Sequence, residues 1–132
     1  LPGASRHHWG TDLDVYDASA LPAGTKPALT PEEVAPGAAF DALHSWLDER
    51  MATGESHGFY RPYGVDRGGV APERWHLSYA PLATRLAPRL TPALLRRSWE
   101  AGGQPAGLPA LVASLPALLE RYVAVPEGWA TA

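Results

Sequence analysis

The sequence predicts an α+β domain, a small antiparallel sheet flanked by helices with a helical C-terminal part. Three observations carry that expectation. Residues 11–17, TDLDVYD, alternate Thr11, Leu13 and Val15 against Asp12, Asp14 and Tyr16, the period of a half-buried strand. Two aromatic-rich runs, GFYRPY at 58–63 and ERWHLSYA at 73–80, flank the turn-rich GVDRGGVAP and read as paired antiparallel strands. From Thr91 onward the chain turns to Ala and Leu with helix punctuation.

Taken in order, the first strand places Asp12 and Asp14 on one face, because alternate residues of a strand point the same way. Residues 18–36 carry Pro22, Pro27, Pro31 and Pro36 among small and polar residues, a long connection with no regular structure beyond a turn at TPEE. Long connections in small domains often border a site. In residues 37–54, Phe40, Leu43, Leu47 and Met51 recur at helical spacing before a glycine stop, so a helix is expected there. Pro72 and Pro81 bracket the strand at 73–80, which is too short for a helix. TPALLRRSWEAGG begins with a Thr cap and Pro in the first turn and ends in glycine. A last helix is expected from about Leu108 to Val123, broken near Ser114 and Pro116. No internal repeat is evident.

Length and composition set outer bounds. The 132 residues amount to one domain spanning 1–132, and 45% hydrophobic residues suffice for one core. A net charge of −3 with no strong basic patch argues against nucleic acid or an anionic membrane as partner. The chain has no cysteine, which excludes disulfides and thiolate metal sites and leaves the compartment open. No apolar run approaches the roughly 20 residues of a membrane span, and no signal-peptide pattern is present. Leu1 rather than Met stands first, which predicts that an upstream segment has been removed or left out.

The chemistry concentrates in SRHHWGTDLD, residues 5–14, and in ERWH, residues 73–76. His7, Asp14 and His76 are two imidazoles and a carboxylate, a sufficient protein shell for a catalytic zinc that keeps a fourth position open. Such a metal brings the pKa of its water toward neutrality, and a nearby carboxylate outside the shell can take the proton. Glu73 is the candidate base. Residues three apart on a strand face opposite sides, so Glu73 must lie where the strand begins or bends. The plainer alternative is that His7 and Asp14 form a surface pair. His8 reads as a residue behind the ligands or on the surface, and His44 and His57 as structural or solvated. Asp12 could compete for the metal or orient a ligand. Trp9 and Trp75 read as packing, and Arg85, Arg89, Arg96 and Arg97 as a solvated helical face.

These residues resemble the zinc D-alanyl-D-alanine carboxypeptidases and related peptidoglycan peptidases of the VanY and VanX type, whose fold is shared by the hedgehog signalling domain. The family pattern Ser-x-His-x-x-Gly-x-Ala-x-Asp is matched by Ser5, His7, Gly10 and Asp14, with Asp12 where alanine is usual. Glu73, Trp75 and His76 complete Glu-x-Trp-His, and GFYRPY is similar to the Gly-Phe strand before it. The resemblance covers about Leu1 to Pro81. It implies a zinc metallopeptidase acting on peptidoglycan stem peptides, with His7, Asp14 and His76 as zinc ligands, Glu73 as general base and Ser5 on the substrate side. It also implies a periplasmic or extracellular setting. The alternative on the same fold is a noncatalytic zinc- or peptidoglycan-binding module. Family members further use an arginine from a segment upstream of residue 1. Arg6 and Arg61 match neither that motif nor its position, and Arg61 is the first suspect should the charge come from within.

Overall fold

The structure is a computed structural model, and it describes residues 3–125. Three short strands form one antiparallel sheet: β1 is Asp12–Asp14, β2 is Phe59–Tyr60 and β3 is His76–Tyr79, in the order β1-β3-β2. Among the described residues four α-helices accompany it: α1 is Asp41–Ala52, α2 is Ala80–Leu86, α3 is Pro92–Gly102 and α4 is Leu108–Tyr122. This is the expected α+β arrangement with a helical C-terminal part.

Central β3 sets the register. Asp12 pairs with Ser78 and Asp14 with His76 on one side, while Tyr60 pairs with Ser78 on the other. Directly paired residues share a face, so Asp12, Asp14, Tyr60, His76 and Ser78 form one polar face. Leu13 and Leu77 lie on the opposite face, beside Leu47 and Met51 of α1. Alternation along TDLDVYD foretold this division.

Several boundaries differ from expectation. The strand expected at 73–80 starts only at His76, because Glu73–His76 closes a turn in which the His76 amide donates to the Glu73 carbonyl at 3.2 Å. Its far end is cut at Ala80, where α2 begins with Pro81 in the first turn. Proline in the first helical turn has no amide hydrogen bond to lose there, so the residue expected to bracket a strand instead opens a helix. The helix expected over 37–54 starts at Asp41, whose carboxylate accepts the Gly37 amide at 2.8 Å. The TPEE turn is a 3-10 turn with a capping box: Thr30 and Glu33 satisfy each other's backbone amides. The α3 cap is as expected, with Thr91 Oγ accepting the Leu94 amide at 3.2 Å. Helix α4 is not broken near Ser114; it runs through Pro116, which lies on the exposed side, where water can take the carbonyl left without a donor.

Apolar packing is divided in two. Leu95, Trp99, Leu115 and Val123 of the helical end enclose Ala4, with Trp9, Leu111 and Leu119 packed around them. A second, smaller cluster joins Val34, Phe40 and Trp75. Trp9 and Trp75 are thus packing residues, as expected. Arg85, Arg89, Arg96 and Arg97 are exposed.

Candidate metal centre

The site is assembled by one tight turn and two strands. Arg6–Trp9 forms a single 3-10 turn that Gly10 ends at φ 71°, its amide donating to the His7 carbonyl at 3.1 Å. That left-handed conformation favours glycine, and it turns the chain into β1 so that His7 sits over the residues it precedes. His7 Nδ1 lies 3.1 Å from the backbone carbonyl of Asp12. A carbonyl only accepts, so Nδ1 is the donor in this bond, and in the neutral ring Nε2 keeps its lone pair. Nε2 is 3.5 Å from Asp14 Oδ2.

His76 reaches the same place from β3. Its Nδ1 is 3.3 Å from Asp14 Oδ1 and 3.5 Å from Glu73 Oε2. The His7 and His76 rings stand 4.6 Å apart, centroid to centroid, at 60°. One donor atom each from His7, Asp14 and His76 fits within 4.8 Å of the others. Zinc bound at about 2.0–2.1 Å to nitrogen or oxygen in a tetrahedron separates its donors by about 3.3 Å. His7 Nε2 and His76 Nδ1 each approach a different oxygen of Asp14 at about that separation, and two imidazoles with a carboxylate are a donor set that suits zinc.

Glu73 is placed by the turn that shortens β3. The turn carries its carboxylate to the His76 side of the sheet, which meets the requirement that it lie where the strand bends. Burial pushes the Glu73 pKa up and the neighbouring Asp14 charge adds to this, with His76 and His7 opposing. The cleft in front, about 310 Å³, is lined by Ser5, His7, Asp14, Tyr63, Glu73 and His76, with Tyr122 and Val123 reaching in from the helical end. Ser5 is exposed at its rim. Tyr63 meets the His76 ring edge-on at 4.9 Å, and burial pushes its phenol up to about 12, so it keeps its proton at neutral pH.

Residues 1–82 match the family model described as VanY, D-alanyl-D-alanine carboxypeptidase. The chain belongs to the VanY family. A relative from Haemophilus influenzae, itself described as an uncharacterized protein, is 32% identical over 125 residues, covering 93% of this chain and 92% of that one. Its likeness therefore extends into the helical end that the family model leaves out. No solved structure matches the chain. The VanY match supports a D-alanyl-D-alanine carboxypeptidase-like character. Among the described residues no helix is long and apolar enough to cross a membrane.

Against the VanY pattern, two residues that the sequence did not mark as a pair dominate the polar face. Asp12, at the usual alanine position, is buried, and its carboxylate accepts from Arg6 Nε at 2.8 Å, Thr11 Oγ at 2.7 Å, Ser78 Oγ at 2.7 Å and His76 Nε2 at 2.8 Å. Burial alone would raise its pKa; the bonds from His76, Ser78 and Thr11 and the Arg6 charge outweigh that and hold it well below the usual carboxylate range. Arg6, equally buried, also donates to Tyr60 and Ser78 at 2.7 and 2.9 Å and lies over the Trp9 ring. Asp12 bonds the ring nitrogen of His76 that lies away from Asp14, so it stands outside the donor cluster and does not compete within it. The signal available in sequence was an aspartate in an alanine position with an arginine next to the motif histidine.

Arg61, the suspected internal source of charge, is elsewhere. It is held by Asp48 of α1 and by the carbonyls of His44 and Arg74. His44 is fully buried, and neither ring nitrogen has a hydrogen-bond partner, in keeping with a structural role. His8 is exposed.

Proposed function

We propose that residues 1–132 act as one zinc-dependent peptidase domain that hydrolyses peptide bonds in peptidoglycan stem peptides ending in D-alanyl-D-alanine. The observation carrying this reading is a carboxylate, Glu73, lying beside a three-donor cluster without belonging to it. A site that only held a metal would need no such group.

His7, through Nε2, Asp14, and His76, through Nδ1, would hold the zinc. When bound, zinc supplies Lewis acidity and a water acidified toward neutral pH. Glu73 takes a proton from the attacking water and returns it to the leaving amine, a role suited to a carboxylate whose affinity for protons burial has raised. Ser5 offers a hydroxyl to the substrate at the rim. His7 and Asp14 are the more open side of the cluster, with side chains 39% and 30% exposed, so the peptide approaches over them.

The test separates base from ligands. Glu73→Gln keeps the side-chain shape, so zinc stoichiometry stays near one while hydrolysis of a D-Ala-D-Ala-ending peptide falls about 100-fold to 10,000-fold. His7→Ala, Asp14→Ala and His76→Ala lose zinc and activity together, and His8→Ala loses neither. Full activity in Glu73→Gln removes Glu73 as base. A wild-type protein that binds zinc and peptide without cleaving would be a binding module instead.

A further inference from the structure

One residue touches both imidazoles of the donor cluster. The Asp12 carbonyl accepts from His7 Nδ1 at 3.1 Å, and the Asp12 carboxylate accepts from His76 Nε2 at 2.8 Å. A neutral imidazole carries one N–H, so a ring that donates from one nitrogen presents a lone pair at the other. The other ring nitrogens, His7 Nε2 and His76 Nδ1, are the atoms that face Asp14 at 3.5 and 3.3 Å, and His76 Nδ1 also lies 3.5 Å from Glu73 Oε2.

The carboxylate is itself immobilised. Arg6, Thr11 and Ser78 occupy its two oxygens beside His76, and the Arg6 and Asp12 side chains are 2% and 0% exposed. Stability alone is a poor reason for this arrangement. A buried ion pair rarely stabilises a fold more than apolar residues of similar volume would. The feature that an apolar residue could not provide is an acceptor for His76.

We propose that Asp12 is a positioning residue for the donor cluster: locked by Arg6, Thr11 and Ser78, its carboxylate fixes His76 in the Nε2–H tautomer and turns Nδ1 toward Asp14. This rests on the reading of His7, Asp14 and His76 as zinc ligands. Outer partners of metal-bound histidines are commonly worth 10-fold to 100-fold in affinity.

The experiment uses the full chain, labelled with nitrogen-15 and stripped of metal. Imidazole nitrogen–proton correlation spectra of the wild type should show His76 protonated at Nε2 and His7 at Nδ1. In Asp12→Asn the His7 pattern should persist, because its acceptor is backbone, while His76 populates both tautomers. Zinc affinity, read by competition with a chromophoric chelator, should weaken about 10-fold to 100-fold in the same variant. A metal-free wild type with His76 protonated mainly at Nδ1 overturns the inference, and that measurement stands even if Asp12→Asn does not fold. Unchanged zinc affinity and an unchanged His76 tautomer in folded Asp12→Asn overturn it too. Wild-type protein that takes up no zinc, or His7→Ala that binds it as tightly, overturns the ligand reading instead.

Discussion

The sheet end and the helical end of this protein are held by different physics. Around β1 and β3 the interior is charged and directional: Arg6, Asp12 and His76 are buried, and each is held by named hydrogen bonds. Around α3 and α4 it is apolar and non-directional, with Leu95, Trp99 and Leu115 closing on one another. Buried ion pairs fix geometry more reliably than they add stability, whereas buried leucines stabilise through area removed from water. The two ends meet at Ala4, which belongs to the helical cluster and immediately precedes the Ser5–Asp14 motif, at Trp9 within that motif, and at Tyr122 and Val123 beside the cleft. The apolar end therefore anchors the stretch of chain that carries His7.

Breaking the apolar end should have the largest effect on stability. Leu115 is 0% exposed, and Leu115→Ala should cost about 2–5 kcal/mol through lost burial and the cavity left behind. Urea unfolding of the zinc-free protein reads this directly. A cost below about 1 kcal/mol would mean that the polar network, and not the leucine cluster, carries the fold.

A second lever lies in α1, on the sheet side. Burial, with help from the Arg61 and Arg74 charges and against Asp48 and Asp41, pushes His44 from an ordinary 6.5 down to about 4. Between those values the unfolded chain takes up a proton that the folded chain refuses. Stability is thus full above pH 6.5 and falls as the pH drops toward 4, by up to about 3 kcal/mol. Asp12 and Asp41, held low in the folded protein, add their losses only below the ordinary carboxylate range. His44→Phe should flatten the stability profile between pH 6.5 and 4 and cost little at pH 7, since both ring nitrogens are already without partners. An unaltered profile would assign the acid sensitivity to another group.

The smallest effect is at the α3 cap. Thr91→Ala removes the acceptor for the Leu94 amide and should cost about 1 kcal/mol by thermal or urea unfolding, with zinc binding untouched. Weakened zinc binding in that variant would show that a change at the far end of the helical cluster is transmitted to the sheet end.

What could be read in sequence follows the same division. Period-2 alternation reported the face shared by Asp12 and Asp14, and helical spacing and caps reported α1 and α3, because these signals are local. The Glu73–His76 turn was legible only as a requirement, since its carbonyl-to-amide bond leaves no mark in residue type. Helix α2 was missed because Pro81 reads equally as a strand terminator and as a first-turn residue. Asp12 was placed on the correct face, but its role depends on His76, 64 residues away. No spacing rule connects Asp12 to Nε2 of His76.

Gly69 carries a consequence for the shape of the cleft. A β-carbon there would overlap the backbone carbonyl of Arg121, and the Arg121 side chain also donates to the Gly68 carbonyl, so the loop after β2 and the last turn of α4 lie backbone against backbone. That loop carries Val70 and leads from Tyr63 to Glu73, and the last turn carries Tyr122; all four residues face the cleft. The mouth of the cleft is thus a calliper with one jaw in the family-matched segment and the other beyond residue 82, its setting held by a single missing methyl group.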